Sequence, residues 1–209
     1  MTQINTYPFK CPVCENEFED YVLLSTNQWG PIDLDTRPPE MMRSTMNTWI
    51  HECPECGYVA RDFDENPKAD REFLKSDIYQ NIDFEFEKDL AGKFYREYLI
   101  LKQDESKNTY YPLLNCAWVC DDAGDSKNAV KIRKLCIDEI SDDNDETLAL
   151  IKLDLLRRSG LFERAVEEYS HRTFSEDFLN KICTFAVMLA KSGDDGCYTV
   201  EDVGKMEMD

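Results

Sequence analysis

Four cysteines in two pairs, Cys11-Pro12-Val13-Cys14 and Cys53-Pro54-Glu55-Cys56, are the residues of this chain whose type and spacing could do chemistry. Two C-x-x-C pairs about forty positions apart offer four thiolates to a single ion, and thiolates in tetrahedral array select Zn2+ ahead of harder or larger metals. With every ligand drawn from protein, no coordination position remains for a substrate, so the expected role is one structural Zn2+ that folds its surroundings. A single C-x-x-C pair can also be a redox couple, and iron accepts the same ligands. A redox pair, however, needs a helix N-terminus behind a strand, and both pairs here sit between strand-like segments. His51, two positions before Cys53, is read as hydrogen-bonded or solvated and is left out of the ligand set.

Such a site needs short strands to hold it. Phe18, Val22 and Leu24 alternate after the first pair, which predicts a hairpin. Residues 47–52 enter the second pair as a strand, and 57–60 leave it as another. Gly57 supplies the turn that aims backbone N–H groups at sulfur. Between the pairs runs a long insert, residues 25–46, in which Pro31, Pro38 and Pro39 exclude ladder pairing, and Pro39 can open a short helix through Glu40. Two readings of its charged residues stand side by side. Either Arg37 ties down Asp33 or Asp35, or Asp33, Asp35, Arg37 and Glu40 form a recognition surface beside the metal.

Composition removes several classes. Residues 1–70 hold five Lys and Arg against thirteen Asp and Glu, and the whole chain carries a net charge of −19, which argues against nucleic acid as a partner. Nine cysteines without a secretory leader point to reduced thiols in a cytoplasmic protein. No apolar run is long enough for a membrane span. The acidic runs 62–65, 142–146 and 194–195 read as solvated loops and helix starts.

The expected fold class is α+β, mostly α: a small β zinc ribbon over 1–65, then a helical domain over 66–209. A helix is predicted from Asn66-Pro67 through Ile78 and another from Glu87. From about residue 108 the chain repeats. Gly124, Gly160 and Gly193 lie 36 and 33 positions apart, Ala129 and Ala165 follow the first two at the same distance, and an apolar helix precedes each glycine. Cys116, Cys120, Cys136 and Cys183 read as small core residues.

The run Gly160, Phe162, Ala165 and Tyr169 resembles the tetratricopeptide repeat, giving about two and a half copies; the first is degenerate, with Ser126 and Arg133 at the aromatic positions, and Leu153 stands where a small residue is expected. The resemblance implies stacked helix pairs that hold a protein or peptide. On it, the partner-facing residues are Tyr111, Leu114, Trp118, Asp121 and Asp122 in the first repeat, and Leu150, Asp154, Arg157 and Arg158 in the second. Trp118 is either the anchor of that surface or a packing residue. Knuckles, insert and the run from Ala117 to Gly124 together resemble a bacterial family that joins a zinc ribbon to tetratricopeptide-like helices, domain-of-unknown-function family 2225 or a close relative. That family implies zinc and a scaffold, and no activity.

With no Gly-rich phosphate loop, serine elbow or two-histidine metal pair, the function expected is a zinc-binding, non-enzymatic protein–protein interaction scaffold. The alternatives are a nucleic-acid-associated ribbon subunit of a larger complex and an enzyme using the loop 33–40.

Overall fold

The computed structural model describes residues 1–141 and 145–205, so most of the acidic run 142–146 and the last four residues of the acidic tail lie outside the described residues. The chain is α+β, with helices over about half of it and, among the described residues, two small antiparallel sheets. Its contacts group it into two units, one of residues 1–28 with 41–129 and one of residues 29–40 with 130–209. This grouping takes 29–40 out of the span 1–65 and makes its second division inside a helix.

The first unit opens with β1 (Gln3–Lys10) and β2 (Glu17–Ser25), antiparallel, with Phe9 opposite Phe18 and Thr6 opposite Tyr21. Near the turn the ribbon is anchored by aromatic contacts: Phe9 and Phe18 both pack on Phe63, which also meets Tyr58. After the short α1 (Glu40–Arg43), residues 47–49 form no strand. Met46–Thr48 is a 3-10 turn, because Thr48 Oγ1 donates to Thr45 O at 2.8 Å and the Trp49 indole donates to Thr45 Oγ1 at 3.0 Å, closing the chain locally. Only His51–Glu52 (β3) pairs with Val59–Ala60 (β4).

The helix expected from Asn66 begins later, as α2 (Arg71–Leu74) and α3 (Asp77–Gln80). Asp70 wins the start: its carboxylate accepts the Phe73 N–H at 2.8 Å, a stronger cap than Asn66 before a proline can offer. The unit closes with α4 (Asp89–Gln103) packed on α5 (Tyr110–Asp122).

α6 (Ser126–Glu139) leads from the first unit into the second. There α7 (Glu146–Arg158), α8 (Phe162–Tyr169) and α9 (Asp177–Lys191) pack on one another, and the short α10 (Val200–Lys205) packs on α9. The insert 29–40 belongs here. Asp33 bridges to Thr199, Leu34 N–H donates to Tyr198 O at 2.9 Å, and Val200 N–H to Ile32 O at 3.0 Å.

Candidate metal centre

The four cysteines come together in the first unit: their sulfurs lie within 4.8 Å of one another, with Cys11 Sγ 3.6 Å from Cys56 Sγ and Cys14 Sγ 3.5 Å from Cys53 Sγ. Four thiolates around one tetrahedral ion at a bond length of about 2.3 Å stand about 3.8 Å apart, so the donor set fits a single metal. No disulfide links them.

The two knuckles are built alike. Cys11 N–H donates to Asn16 O at 2.9 Å and Cys53 N–H to Tyr58 O at 2.9 Å; each turn needs a residue in the left-handed region, Glu15 at φ 66° and Gly57 at φ 73°. In each, the backbone amides of the residues two and three positions on, Val13 and Cys14 for Cys11, Glu55 and Cys56 for Cys53, favour the thiolate of the first cysteine. Burial pushes the Cys11 and Cys56 thiols up. At Cys53 burial is outweighed by those backbone amides together with the neighbouring thiols of Cys14 and Cys56, and the thiol goes down. Amides near a thiolate stabilise it and would thereby favour a cation held there.

Two residues without a sequence signal hold the knuckles from outside. Arg71 of α2 donates to the carbonyls of Val13 at 3.2 Å and Cys14 at 3.3 Å, and Tyr79 of α3 donates to the Gly57 carbonyl at 2.6 Å. Cys11 and Cys53 are fully buried, while Cys14 and Cys56 are partly open. His51 Nδ1 lies 3.0 Å from Asp20 Oδ2 with its ring against Phe9, outside the sulfur cluster.

The remaining candidates divide. Tyr111 is half-exposed and carries the Arg61 guanidinium over its ring at 4.8 Å, while Leu114 and Trp118 are buried. Asp121 and Asp122 lie at the surface end of α5, and Asp122 meets Arg43 at 3.3 Å. Arg61 itself grips Glu97 with two hydrogen bonds, at 2.7 and 3.0 Å, and Asn115 Oδ1 at 2.7 Å. Burial nevertheless holds the Glu97 carboxyl above its usual range, with Arg61 opposing.

In the second unit the structure joins two groups that the sequence kept apart. Arg37 Nε meets Asp33 Oδ2 at 2.6 Å, and Arg158 of α7 meets Asp35 Oδ2 at 3.2 Å, all four side chains being buried. Fully buried Arg157 binds Asp154 at 2.7 Å and donates to the carbonyls of Asp194 and Gly196, each at 2.8 Å. Burial pushes the Asp154 carboxyl up against the pull of Arg157. Leu150 is buried as well. Of the loop residues only Glu40, at the start of α1, is exposed. Buried, paired charges hold the insert in place; a recognition surface would have to present them to solvent.

Cys197 adds a member that the sequence did not single out. Its thiol donates to Asp33 Oδ2 at 3.1 Å and accepts from Arg37 Nη2 at 3.2 Å.

Among the described residues no helix is long and apolar enough to cross a membrane. No protein-family model, no curated protein and no solved structure matches the chain.

Proposed function

We propose that this chain is a non-enzymatic interaction scaffold that joins in one chain a structural Zn2+ site, held by Cys11, Cys14, Cys53 and Cys56 as a zinc ribbon, to tetratricopeptide-like helix pairs that hold a protein or peptide. The observation that carries the scaffold reading is the recurrence of one helix ending. At Gly124, Gly160 and Gly193, each with φ between 71° and 75°, the glycine N–H reaches the carbonyl three residues back and the next N–H reaches the carbonyl five back: Asp125 to Cys120, Leu161 to Leu156 and Asp194 to Leu189, at 2.8–3.0 Å. This double closure reverses the chain after a helix, and its return at intervals of 36 and 33 residues supports a repeated helix–turn–helix unit.

The metal reading rests on the sulfur geometry and on the two alike turns that carry it; an all-thiolate tetrahedron favours zinc over oxygen-seeking ions. The rim formed by Tyr111, Asp121 and Asp122 is the surface that the first helix pair offers a partner, with Leu114 and Trp118 shaping it from beneath. The net charge of −19 suits a partner with basic side chains and disfavours nucleic acid. A cytoplasmic setting and membership of the family named above complete the reading.

Native mass spectrometry of the gently purified protein tests it. The expected spectrum shows one zinc per chain and a retained second polypeptide that Tyr111→Ala and Asp122→Lys release. An intact fold without metal overturns the zinc assignment, and retention unaffected by both substitutions overturns the surface.

A further inference from the structure

The end of the β1–β2 ribbon far from the knuckle is unlike the rest of the molecule. Residues 1–9 and 21–32 contain no charged side chain, in a chain where 67 of 209 residues are charged. Ile4, Tyr7, Tyr21 and Leu24 are all exposed there. A two-stranded ribbon with an exposed apolar end is marginal in water; a third and fourth strand make such a sheet stable.

The two edges of this ribbon differ. Thr6 and Tyr21 face each other in the register, and both have backbone N–H groups that point away from the ladder and are held by the preceding side chain: Thr6 N–H by Asn5 Oδ1 at 3.0 Å, Tyr21 N–H by Asp20 Oδ1 at 2.8 Å. The outward positions of β1 are therefore Ile4, Thr6 and Pro8. Pro8, having no N–H to offer, costs the β1–β2 ladder nothing and ends the free edge on its knuckle side. Over residues 17–20, its half near the knuckle, the β2 edge is guarded by Glu17, Glu19 and Asp20, the usual protection against strand addition. On β1 a neutral amide, Asn5, is all that occupies the outward N–H of Thr6.

We propose that the β1 edge over residues 4–8 is an interface with a second copy of this chain, β1 pairing antiparallel with its counterpart so that two two-stranded ribbons become one four-stranded sheet. A chain of net charge −19 repels its own copies over most of its surface, so self-association needs a contact free of charge, and the β1 edge is one. A two-fold pairing sets a segment against itself, which an uncharged antiparallel edge satisfies without like-charge conflict. With the axis at Asn5, Ile4 of one copy lies opposite Thr6 of the other, and both outward residues exchange N–H and C=O on each side. Asn5 Oδ1 then gives up the Thr6 N–H to a backbone carbonyl.

Sedimentation equilibrium of the full-length, metal-loaded protein tests this. The wild type is expected to double from 24.4 kDa with rising concentration. Thr6→Glu and Thr6→Lys place like charges diagonally across the axis, and each alone is expected to weaken the dimer by about tenfold or more. An equimolar mixture of the two is expected to pair again, since opposite charges then meet. Circular dichroism and metal content, unchanged in both variants, show that the ribbon still folds. A wild type that stays at single-chain mass up to about 1 mM overturns the proposal. So do single variants that dimerise like wild type, or a mixture that fails to recover.

Discussion

Asp35 and Arg158, 123 positions apart, form an ion pair at 3.2 Å in which the carboxylate is fully buried. The insert between the two cysteine knuckles is thus tied to the last turn of α7. Removing one partner of a buried pair leaves the other uncompensated, and Arg158→Ala is expected to destabilise the second unit by about 3–5 kcal/mol. Urea unfolding followed by circular dichroism measures this. Replacing both residues, Asp35→Leu with Arg158→Met, is expected to restore most of the loss. An unchanged midpoint for Arg158→Ala would show that the pair contributes nothing.

Cobalt substitution reads the geometry of the sulfur cluster directly. Four thiolates around one ion give tetrahedral ligand-field bands together with thiolate-to-metal charge transfer, at one equivalent per chain. Cys11→Ser or Cys53→Ser, each removing a fully buried sulfur, is expected to abolish the tetrahedral spectrum. Because ligands must lose protons to bind, metal is released as pH falls, and stability conferred by it is lost in the same direction. A spectrum with fewer sulfurs or a stoichiometry below one would refute the single-site assignment.

What the sequence made legible and what it hid follow from the range of the interactions. Each C-x-x-C pair is a local unit, and Gly124, Gly160 and Gly193 mark positions where a left-handed backbone is required, so the knuckles and helix ends can be read from spacing alone. The tie of Arg37 to Asp33, four positions away, is readable as well; the pairing of Asp35 with Arg158, or of Asp33 with Cys197, is not. With 43 acidic and 24 basic residues the combinations are too many, and contacts 123 or 164 positions apart leave no periodic trace. The late start of α2 is a third case: the sequence points to Asn66 before Pro67, and the carboxylate of Asp70, four residues on, is the one that reaches Phe73 N–H. Arg71 and Tyr79, which grip the knuckle carbonyls, had nothing in their neighbourhoods to set them apart.

Cys197 is exposed as a residue, while its sulfur sits between Asp33 and Arg37. Burial of that sulfur, and then the Asp33 carboxylate, push the thiol up to about 11 against the opposing guanidinium groups of Arg158 and Arg37. Alkylation proceeds through thiolate, so at pH 8 Cys197 is expected to react with iodoacetamide roughly a hundredfold more slowly than an ordinary surface thiol of pKa about 8.5. The rate should climb until about pH 11. Asp33→Asn removes a cause of the rise and is expected to speed the reaction at pH 8. Mass spectrometry of the alkylated peptide follows both rates, and a Cys197 that reacts at pH 8 as fast as an ordinary surface thiol would contradict the hydrogen-bonded arrangement.

The start of α10 depends on one carboxylate. Asp202 Oδ2 accepts from the Thr199 N–H at 2.9 Å and from the Thr199 hydroxyl at 2.8 Å, closing the first turn, and Lys205 binds the other oxygen at 2.6 Å. Lys205 first, then Thr199, hold the Asp202 carboxyl at about 2, below the value of about 3.9 for an unfolded Asp. A folded-state pKa below the unfolded one means that the stabilisation is fully present above about pH 4 and is lost as pH falls through about 2. Hydrogen exchange of the Val200–Lys205 amides is therefore expected to quicken, relative to the intrinsic rate, across that acid window. Asp202→Asn should bring the faster exchange to neutral pH, and with it a looser Tyr198–Val200 segment, whose backbone bonds to Ile32 and Leu34 hold the insert. Protection in α10 that is equal in the variant and the wild type at neutral pH would mean that packing on α9, not the Asp202 cap, fixes the end of the chain.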